Sequence, residues 1–443
     1  MVVVGGGFAG LAAAVRLGRG GARVTVLERR PFLGGRAYSF ADPVTGDVID
    51  NGPHALMGAY TEALDFLGEI GARHKLAVQP RLHVAMADPI DGMAAVAAPA
   101  LPGPFQAPAA LLRYRLLSRG DRLRLVGGAL RLVARAARRP DALAGVTVAE
   151  ALAAAGQSPV SRARFWDPLA IATLNEDPAR AAAAPFAAVM RRAFLSGAAA
   201  ARFALAAVPL SALYTTDAER AVTEAGGTVR SGAAVATLAL DQGRTTGVIL
   251  KDGSRLDADA VVLAVPCSAL PRLLPSVLRT APAFRALETI GTSPIVSVHL
   301  WLDRPVTWGS PFLGLLGTQA QWLFDCGPTA SGGGRLATVT SGAHAWNDLD
   351  DATIAARVLA DAGAVLPALR AATVRRSLVI RERHATISLT PEADAARPRT
   401  DTPIPNLFLA GDWIQTGLPA TIESAVQSGR EAAARALSAA VRP

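Results

Sequence analysis

MVVVGGGFAG at residues 1–10 and VTVLERRPFLGGRA at residues 24–37 decide how the rest of this chain is read. A short apolar run at residues 2–4 is followed by Gly5, Gly7 and Gly10 in the pattern G-x-G-x-x-G. Phe8 and Ala9 stand between the last two, and LAAAVRLGRGGA continues at helical spacing. Strand, tight turn and helix in that order are the context in which the pattern has a mechanism. The first glycine makes the turn, the second lets a pyrophosphate approach the backbone, and the third lets the helix pack on the strand. The phosphates would sit on the amide donors and positive dipole of the helix N-terminus. Residues 22–28, ARVTVLE, then read as a second strand ending in Glu28, placed to accept hydrogen bonds from an adenosine ribose. A carboxylate there would repel the 2′-phosphate of NADP. Because this strand starts at Met1, no signal or transit segment is expected.

The chain has 443 residues, enough for two or three domains and a large core. Hydrophobic residues make up 51% and aromatics 5%, a composition that excludes a disordered chain and favours a helix-rich globular one. There are 45 basic residues against 36 acidic, and the only lysines are Lys75 and Lys251. Arginine preference across the whole chain explains part of that balance. Cys267 and Cys326 form no C-x-x-C pair and no His/Cys cluster, so no metal site or disulfide framework is expected, and a reducing compartment fits. No transmembrane helix is read. The uncharged stretch near residues 92–112 contains Pro99, Pro102, Pro104 and Pro108, and the stretch at 305–324 is broken by Gly309, Pro311, Gly314 and Gly317.

Three further stretches extend the cofactor site. RRPFLGGRA puts Gly34, Gly35 and Arg36 directly after Glu28. Near the far end, IPNLFLAGDWIQTGLPATIESAVQSGREAAARAL gives a strand, then Gly411 and Asp412, then a helix expected to open near Pro419. Ile422, Ala425, Val426, Gly429, Ala433 and Leu437 would form its buried stripe. Mid-chain, EAGGTVRSGAAV at residues 224–235 precedes the hairpin TTGVILKDGSRLDADAVVLAVP. Together these stretches resemble the flavin amine oxidase and carotenoid desaturase superfamily. The resemblance implies FAD, bound without a covalent link, with Gly35 and Arg36 beside the diphosphate. Asp412 would bond the ribityl chain or diphosphate, the Ile422 backbone would meet the pyrimidine edge, and the Val235 backbone would meet adenine. Val235 also reads simply as a strand core residue.

IDNGPHALMGAYTEALDFL at residues 49–67 and GDWIQTGLPATIESAVQSGR at residues 411–430 narrow the resemblance to the squalene-associated FAD-dependent desaturases, the hydroxysqualene dehydroxylases. Gly52 would approach the flavin. Pro53 departs from the expected pattern, which weakens any role for His54. Amine oxidases commonly place a lysine near flavin N5 and a tyrosine just before the C-terminal flavin contact. Neither Lys75 nor Lys251 suits that place, and the tyrosine position is Thr421, so a bulky apolar substrate fits better than an amine. The resemblance implies reductive removal of the hydroxyl of hydroxysqualene to give squalene for hopanoid synthesis. No catalytic residue is assigned, and His54 is only a weak candidate for the acid. The electron donor is unknown, because a second dinucleotide fingerprint is not apparent. A separate protein or a quinone could serve.

Residues 108–140 carry nine arginines and one acid, Asp121, with Leu111, Leu112, Leu116, Leu117, Leu123, Leu125, Val126, Leu130, Leu132 and Val133 between them. A basic amphipathic segment of this kind suits an anionic membrane surface. The alternative is a pair of ordinary helices with solvated arginines. No motif supports nucleic acid. PIVSVHLWLD at residues 294–303 reads as a strand with Ser297, His299 and Trp301 on one face; His299, like His344 and His384, needs no functional role.

The expected architecture is α/β: a discontinuous Rossmann-like FAD domain of residues 1–75, 215–285 and 400–443. A substrate domain of residues 76–214 and 286–399 is inserted in it, with a mixed sheet and a helical, membrane-facing segment at 108–140. The expected partners are a hydrophobic isoprenoid and an anionic membrane surface, with terpenoid-synthase proteins as possible neighbours, in a cytoplasmic, peripherally membrane-associated setting. Two other functions are kept open. One is oxidative desaturation of a carotenoid-like polyene; the other is a flavoprotein scaffold or lipid carrier.

Overall fold

A computed structural model describes residues 1–101, 103–279, 281–329 and 332–440. At its centre is a five-stranded sheet in the order Thr228–Ser231, Thr25–Glu28, Val2–Val4, Val261–Leu263 and Leu407–Leu409, every neighbouring pair parallel. Three of its strands read VVV, VVL and LFL and are buried throughout, as a parallel sheet covered on both faces requires. Alternation divides their side chains between two layers. Val3, Val26, Val262 and Phe408 face the helices Phe8–Arg19, Leu210–Glu224 and Ile422–Ala440. Val2, Val4, Leu27, Val261, Leu263, Leu407 and Leu409 share a core with the antiparallel strands Val235–Asp241 and Arg244–Leu250.

A second, seven-stranded sheet runs Val374–Ile387, Thr292–Leu302, Gly334–Ser341, Trp322–Pro328, Phe312–Leu315, His83–Asp88 and Gly92–Ala97. Only the pairing of Phe312–Leu315 with His83–Asp88 is parallel. One face, with Val296, Val298, Leu300, Leu313, Leu323 and Leu336, packs on Ile354, Val358 and Ala362 of the helix Asp351–Val365. The other face looks towards residues 42–52. Trp301 donates its indole N–H to Asp47 at 2.6 Å, Arg335 bonds the Val48 carbonyl at 2.9 Å, and Arg376 pairs with Asp42 at 2.6 Å. These bonds tie the second sheet to the hairpin Ser39–Ala41 and Val48–Asp50.

The structure adjusts three expectations. The last helix opens at Ile422, not near Pro419, because Thr421 takes the capping position: its carbonyl accepts the Ala425 N–H at 3.0 Å and its hydroxyl the Ser424 N–H at 3.4 Å. The basic segment is two helices, Gly103–Leu112 and Arg119–Arg138, separated where Ser118 caps the Asp121 amide at 3.1 Å. Most of its apolar side chains (Leu111, Leu116, Leu117, Leu125, Leu132 and Val133) enter the protein's own core, whereas Leu112, Leu123 and Leu130 remain exposed among the arginines. The strand that carries His299 is Thr292–Leu302, and both its faces are buried, including Ser297, His299 and Trp301. No described helix is long and apolar enough to cross a membrane.

Candidate functional site

The first glycine turn is made by positions where a side chain is excluded. Gly5 has φ +112°, and a Cβ on Gly10 would lie 1.9 Å from the Gly5 carbonyl oxygen. Helix Phe8–Arg19 therefore starts hard against the strand Val2–Val4. No side chain caps it at Gly7, so the first-turn amides that a helix cannot satisfy internally are left for an anion. The second glycine turn folds onto the first. The Gly34 N–H donates to the Gly6 carbonyl at 2.9 Å, and Gly7 faces Gly35, with 3.7 Å between the position of a Gly7 Cβ and the Gly35 Cα. Phe8 and Ala9 are buried, and Phe8 stacks on Tyr214 at 3.7 Å. The Tyr214 hydroxyl bonds the Gly34 carbonyl at 2.8 Å, which ties helix Leu210–Glu224 to both turns. Nothing local in the sequence marks Tyr214.

Glu28 is buried at the end of its strand, and its two oxygens accept the backbone N–H groups of Gly6 at 2.8 Å and Arg30 at 2.9 Å. Its carbonyl accepts the Ala233 N–H at 2.8 Å, so the stretch leading to buried Val235 lies against the same strand end. Glu28, Val235 and both glycine turns thus meet at one end of the parallel sheet.

Arg36 reaches across the chain to Asp412, 2.6 Å away, and to the Ala385 carbonyl at 2.6 Å. The Asp412 side chain is 8% exposed and that of Arg36 31%, so the pair is withdrawn from open surface. The Gly411 N–H is held by Ser428 of the last helix at 2.9 Å. Asn51 donates to the Arg36 carbonyl at 2.5 Å, while its own buried Oδ1 has no donor among the described residues. Gly52 follows, and a Cβ there would lie 2.8 Å from the Ser297 hydroxyl. His54 bonds the Gly52 carbonyl through Nδ1 at 2.7 Å. Since a carbonyl only accepts, Nδ1 carries the proton. Burial, with Arg36 adding to it, holds the imidazole pKa below its ordinary value despite the Gly52 bond and Asp50. His54 is therefore neutral, with Nε2 left as its acceptor, which is the wrong state for an acid.

Ile422 opens the last helix, and Glu423 beside it is fully buried. Its carboxylate caps helix Thr61–Glu69 through the Ala63 N–H at 2.9 Å and the Glu62 N–H at 3.2 Å, and it pairs with Arg192 at 3.1 Å. Sequence reasoning missed this carboxylate; a lone acid in the first turn of a helix looks like an ordinary dipole partner.

These features fit FAD. Uncapped helix amides and apposed glycines suit the diphosphate, a buried carboxylate suits the ribose, and the unfilled acceptor of Asn51 and the Arg36–Asp412 pair suit a polyhydroxylated chain. The model of the flavin-containing amine oxidoreductase family matches residues 8–437. The chain belongs to that family. Among characterised relatives, the hydroxysqualene dehydroxylases of Rhodopseudomonas palustris and Sinorhizobium fredii are 33% and 32% identical to it, over 99% and 98% of this chain and 98% of each relative. A 15-cis-phytoene desaturase of an Oncidium hybrid is more distant, 26% identical over 97% of this chain and 76% of its own length. A solved oxidoreductase from Methanosarcina mazei superposes with a TM-score of 0.74 over 97% of this chain and 98% of its own, at 18% identity, which establishes the shared fold. The protein is thus a flavin-containing oxidoreductase of mixed α/β fold.

Facing Gly52 is the second face of the seven-stranded sheet, through Ser297. Pairing in register places Ser297, His299, Ala337, Val339, Trp322, Phe324, Phe312 and Met86 on that one face. Trp322, Phe324 and Val339 are only half-buried, whereas the opposite face of the same strands is closed. Phe312 touches Trp322, Phe324 and Phe203 with ring centroids 6.0, 5.9 and 5.3 Å apart. That face is therefore aromatic and apolar, with Ser297 and His299 at its Gly52 end. Neither ring nitrogen of His299 has a hydrogen-bond partner among the described residues. Burial, with Arg335 adding, pushes its pKa down to about 4, so it is neutral. Among the described residues no cluster of His, Cys, Asp and Glu could hold a metal ion.

Proposed function

We propose that this oxidoreductase removes the hydroxyl of hydroxysqualene reductively, giving squalene for hopanoid synthesis. The observation that carries the reading is the apolar, aromatic sheet face running away from the Gly52 turn, which suits a long isoprenoid and offers an amine no anionic partner. Identity to hydroxysqualene dehydroxylases along nearly the whole chain supports it. Residues 1–75, 215–285 and 400–443 would form the FAD lobe, and residues 76–214 and 286–399 the substrate lobe. Gly5, Gly7, Phe8, Ala9, Gly10, Gly35, Arg36, Gly411 and Asp412 would hold the diphosphate and ribityl chain, Glu28 the ribose, the Val235 backbone adenine, and Gly52 and Ile422 the ring. FAD would be bound without a covalent link; burial pushes the thiol of Cys267, near Asp412, up to about 12, leaving it a poor nucleophile.

When bound and reduced, the flavin supplies hydride. The chain's own residues position the carbinol carbon, keep water from the carbon as its hydroxyl departs, and protonate the leaving oxygen. The positive end of helix Ile422–Ala440 would stabilise negative charge on the reduced ring. The exposed arginines of helix Arg119–Arg138, with Leu112, Leu123 and Leu130, would rest on an anionic membrane surface from which the substrate enters.

The test is anaerobic. The protein is reduced, hydroxysqualene is added in detergent, and flavin absorbance is followed alongside squalene. Flavin reoxidation matched by squalene is expected. No reoxidation, with FAD bound and reducible, would remove the reading and favour polyene desaturation by the oxidised protein.

A further inference from the structure

We propose that the cavity beside the edge strand Gly92–Ala97 holds the headgroup of one anionic phospholipid, with Arg113 and Arg115 taking its phosphate. This site is independent of the dehydroxylase reading and gives the membrane contact a pocket of its own. Gly92–Ala97 is the last strand of the seven-stranded sheet, with no further strand on its outer side. A cavity of about 360 Å³ lies against it, lined by Met93, Ala94, Ala95 and Ala97 of the strand and by Arg113 and Arg115 of the turn after helix Gly103–Leu112. Small ligands occupy pockets of about 300–1,000 Å³. Alanine is a poor strand former, so the strand gains little from this run; its small side chains leave the space open.

The two arginines are held ready for an anion. Tyr114 between them is fully buried, and its hydroxyl donates to the Arg164 carbonyl at 3.0 Å, while the Arg164 guanidinium bonds the Leu116 carbonyl at 2.8 Å. The turn is thereby fixed, and Arg113 and Arg115 are left exposed at the cavity, so little loop ordering opposes binding. Among the described residues neither guanidinium has a hydrogen bond or an ion pair. No acid among them lines the cavity, and Asp91, close by in the chain, is already paired with Arg164. Two planar guanidinium forks at one cavity match the oxygens of a phosphodiester. Ile90, Met93, Leu101, Phe105 and Leu112, on the segments that frame the cavity, are large apolar side chains left exposed. Apolar groups beside a cationic pocket favour a phosphate carried on acyl chains over a free anion.

The test titrates the FAD-loaded protein by calorimetry with monomeric dihexanoylphosphatidylglycerol, and separately with inorganic phosphate. One lipid per chain should bind saturably, and phosphate alone far more weakly. Replacing both arginines (Arg113→Gln with Arg115→Gln) should weaken the lipid about 30-fold. Ala97→Trp, which fills the cavity and keeps both charges, should weaken it at least as much. No saturable lipid binding, phosphate binding as tightly as the lipid, or unchanged affinity in either the arginine pair or a folded Ala97→Trp would overturn the site. Flotation of the unmodified protein on phosphatidylglycerol vesicles is read alongside. Flotation without short-chain lipid binding would remove this site and leave the contact through helix Arg119–Arg138, whereas lipid binding without flotation would keep the site and remove that contact.

Discussion

Replacing Gly429 by alanine tests whether the last helix sets the position of the diphosphate seat. Gly429 lies in helix Ile422–Ala440 where it crosses helix Phe8–Arg19, and a Cβ added there would sit 2.1 Å from the Ala9 carbonyl oxygen. Ordinary contact begins at 3.4 Å, so the helices must part by about 1.3 Å or tilt. The atom struck is backbone in the first turn of helix Phe8–Arg19, which no rotamer change can move aside. Alanine should add about 0.5–1 kcal/mol through helix propensity, against an overpacking cost of about 1–3 kcal/mol or more. The net is a loss on the order of 1–2 kcal/mol. A displacement of about 1 Å at a positioning element can cost about 100-fold in rate, so FAD affinity and turnover should fall more than stability. Denaturant unfolding and FAD titration of Gly429→Ala measure both. Gly68→Ala is the control: its added Cβ meets nothing within 4 Å, and stability should hold or rise. A Gly429→Ala protein with unchanged midpoint and unchanged FAD affinity would refute the reasoning.

Glu28→Gln removes the charge that should hold the ribose while keeping an acceptor for Gly6; FAD binding should weaken about 10-fold or more, measured by titrating the apoprotein. Lowering the pH should destabilise the fold through His299. Its pKa in the folded state, about 4, lies below that of the unfolded chain, so the unfolded state takes up the proton first and stability is lost as pH falls from about 6.5 towards 4. One such group is worth at most about 3 kcal/mol over that window, and His299→Leu should flatten the dependence of urea midpoints on pH by about one proton. Reversing Arg119, Arg124 and Arg138 to glutamate should weaken binding to phosphatidylglycerol vesicles about 100-fold and leave neutral vesicles unaffected. Equal flotation with both vesicle types would count against membrane contact through this helix.

How much of this site was legible in sequence depends on how far each constraint reaches along the chain. Gly5 and Gly10 can be read because a positive φ and a close backbone approach are demands made within a few residues. Glu28 is legible because the length of a strand–turn–helix–strand unit fixes where the second strand ends. Pro419 suits a first turn, yet the helix opens at Ile422, since Thr421 has the better capping group. The basic segment showed its amphipathic pattern plainly, yet a pattern does not say whether the apolar face meets lipid or the protein's own core, and most of it meets the core.

What the sequence alone determined is thus the local grammar of a nucleotide-binding strand and helix, together with the family resemblance carried by its glycine turns. Tertiary structure decided the rest. Arg36 finds Asp412, Tyr214 stacks on Phe8, and Glu423 anchors helix Thr61–Glu69. Each pair joins segments far apart in the chain, where no local propensity or periodicity connects them. Only the packing of whole sheets and helices, driven by burial of their apolar faces, brings such groups into contact.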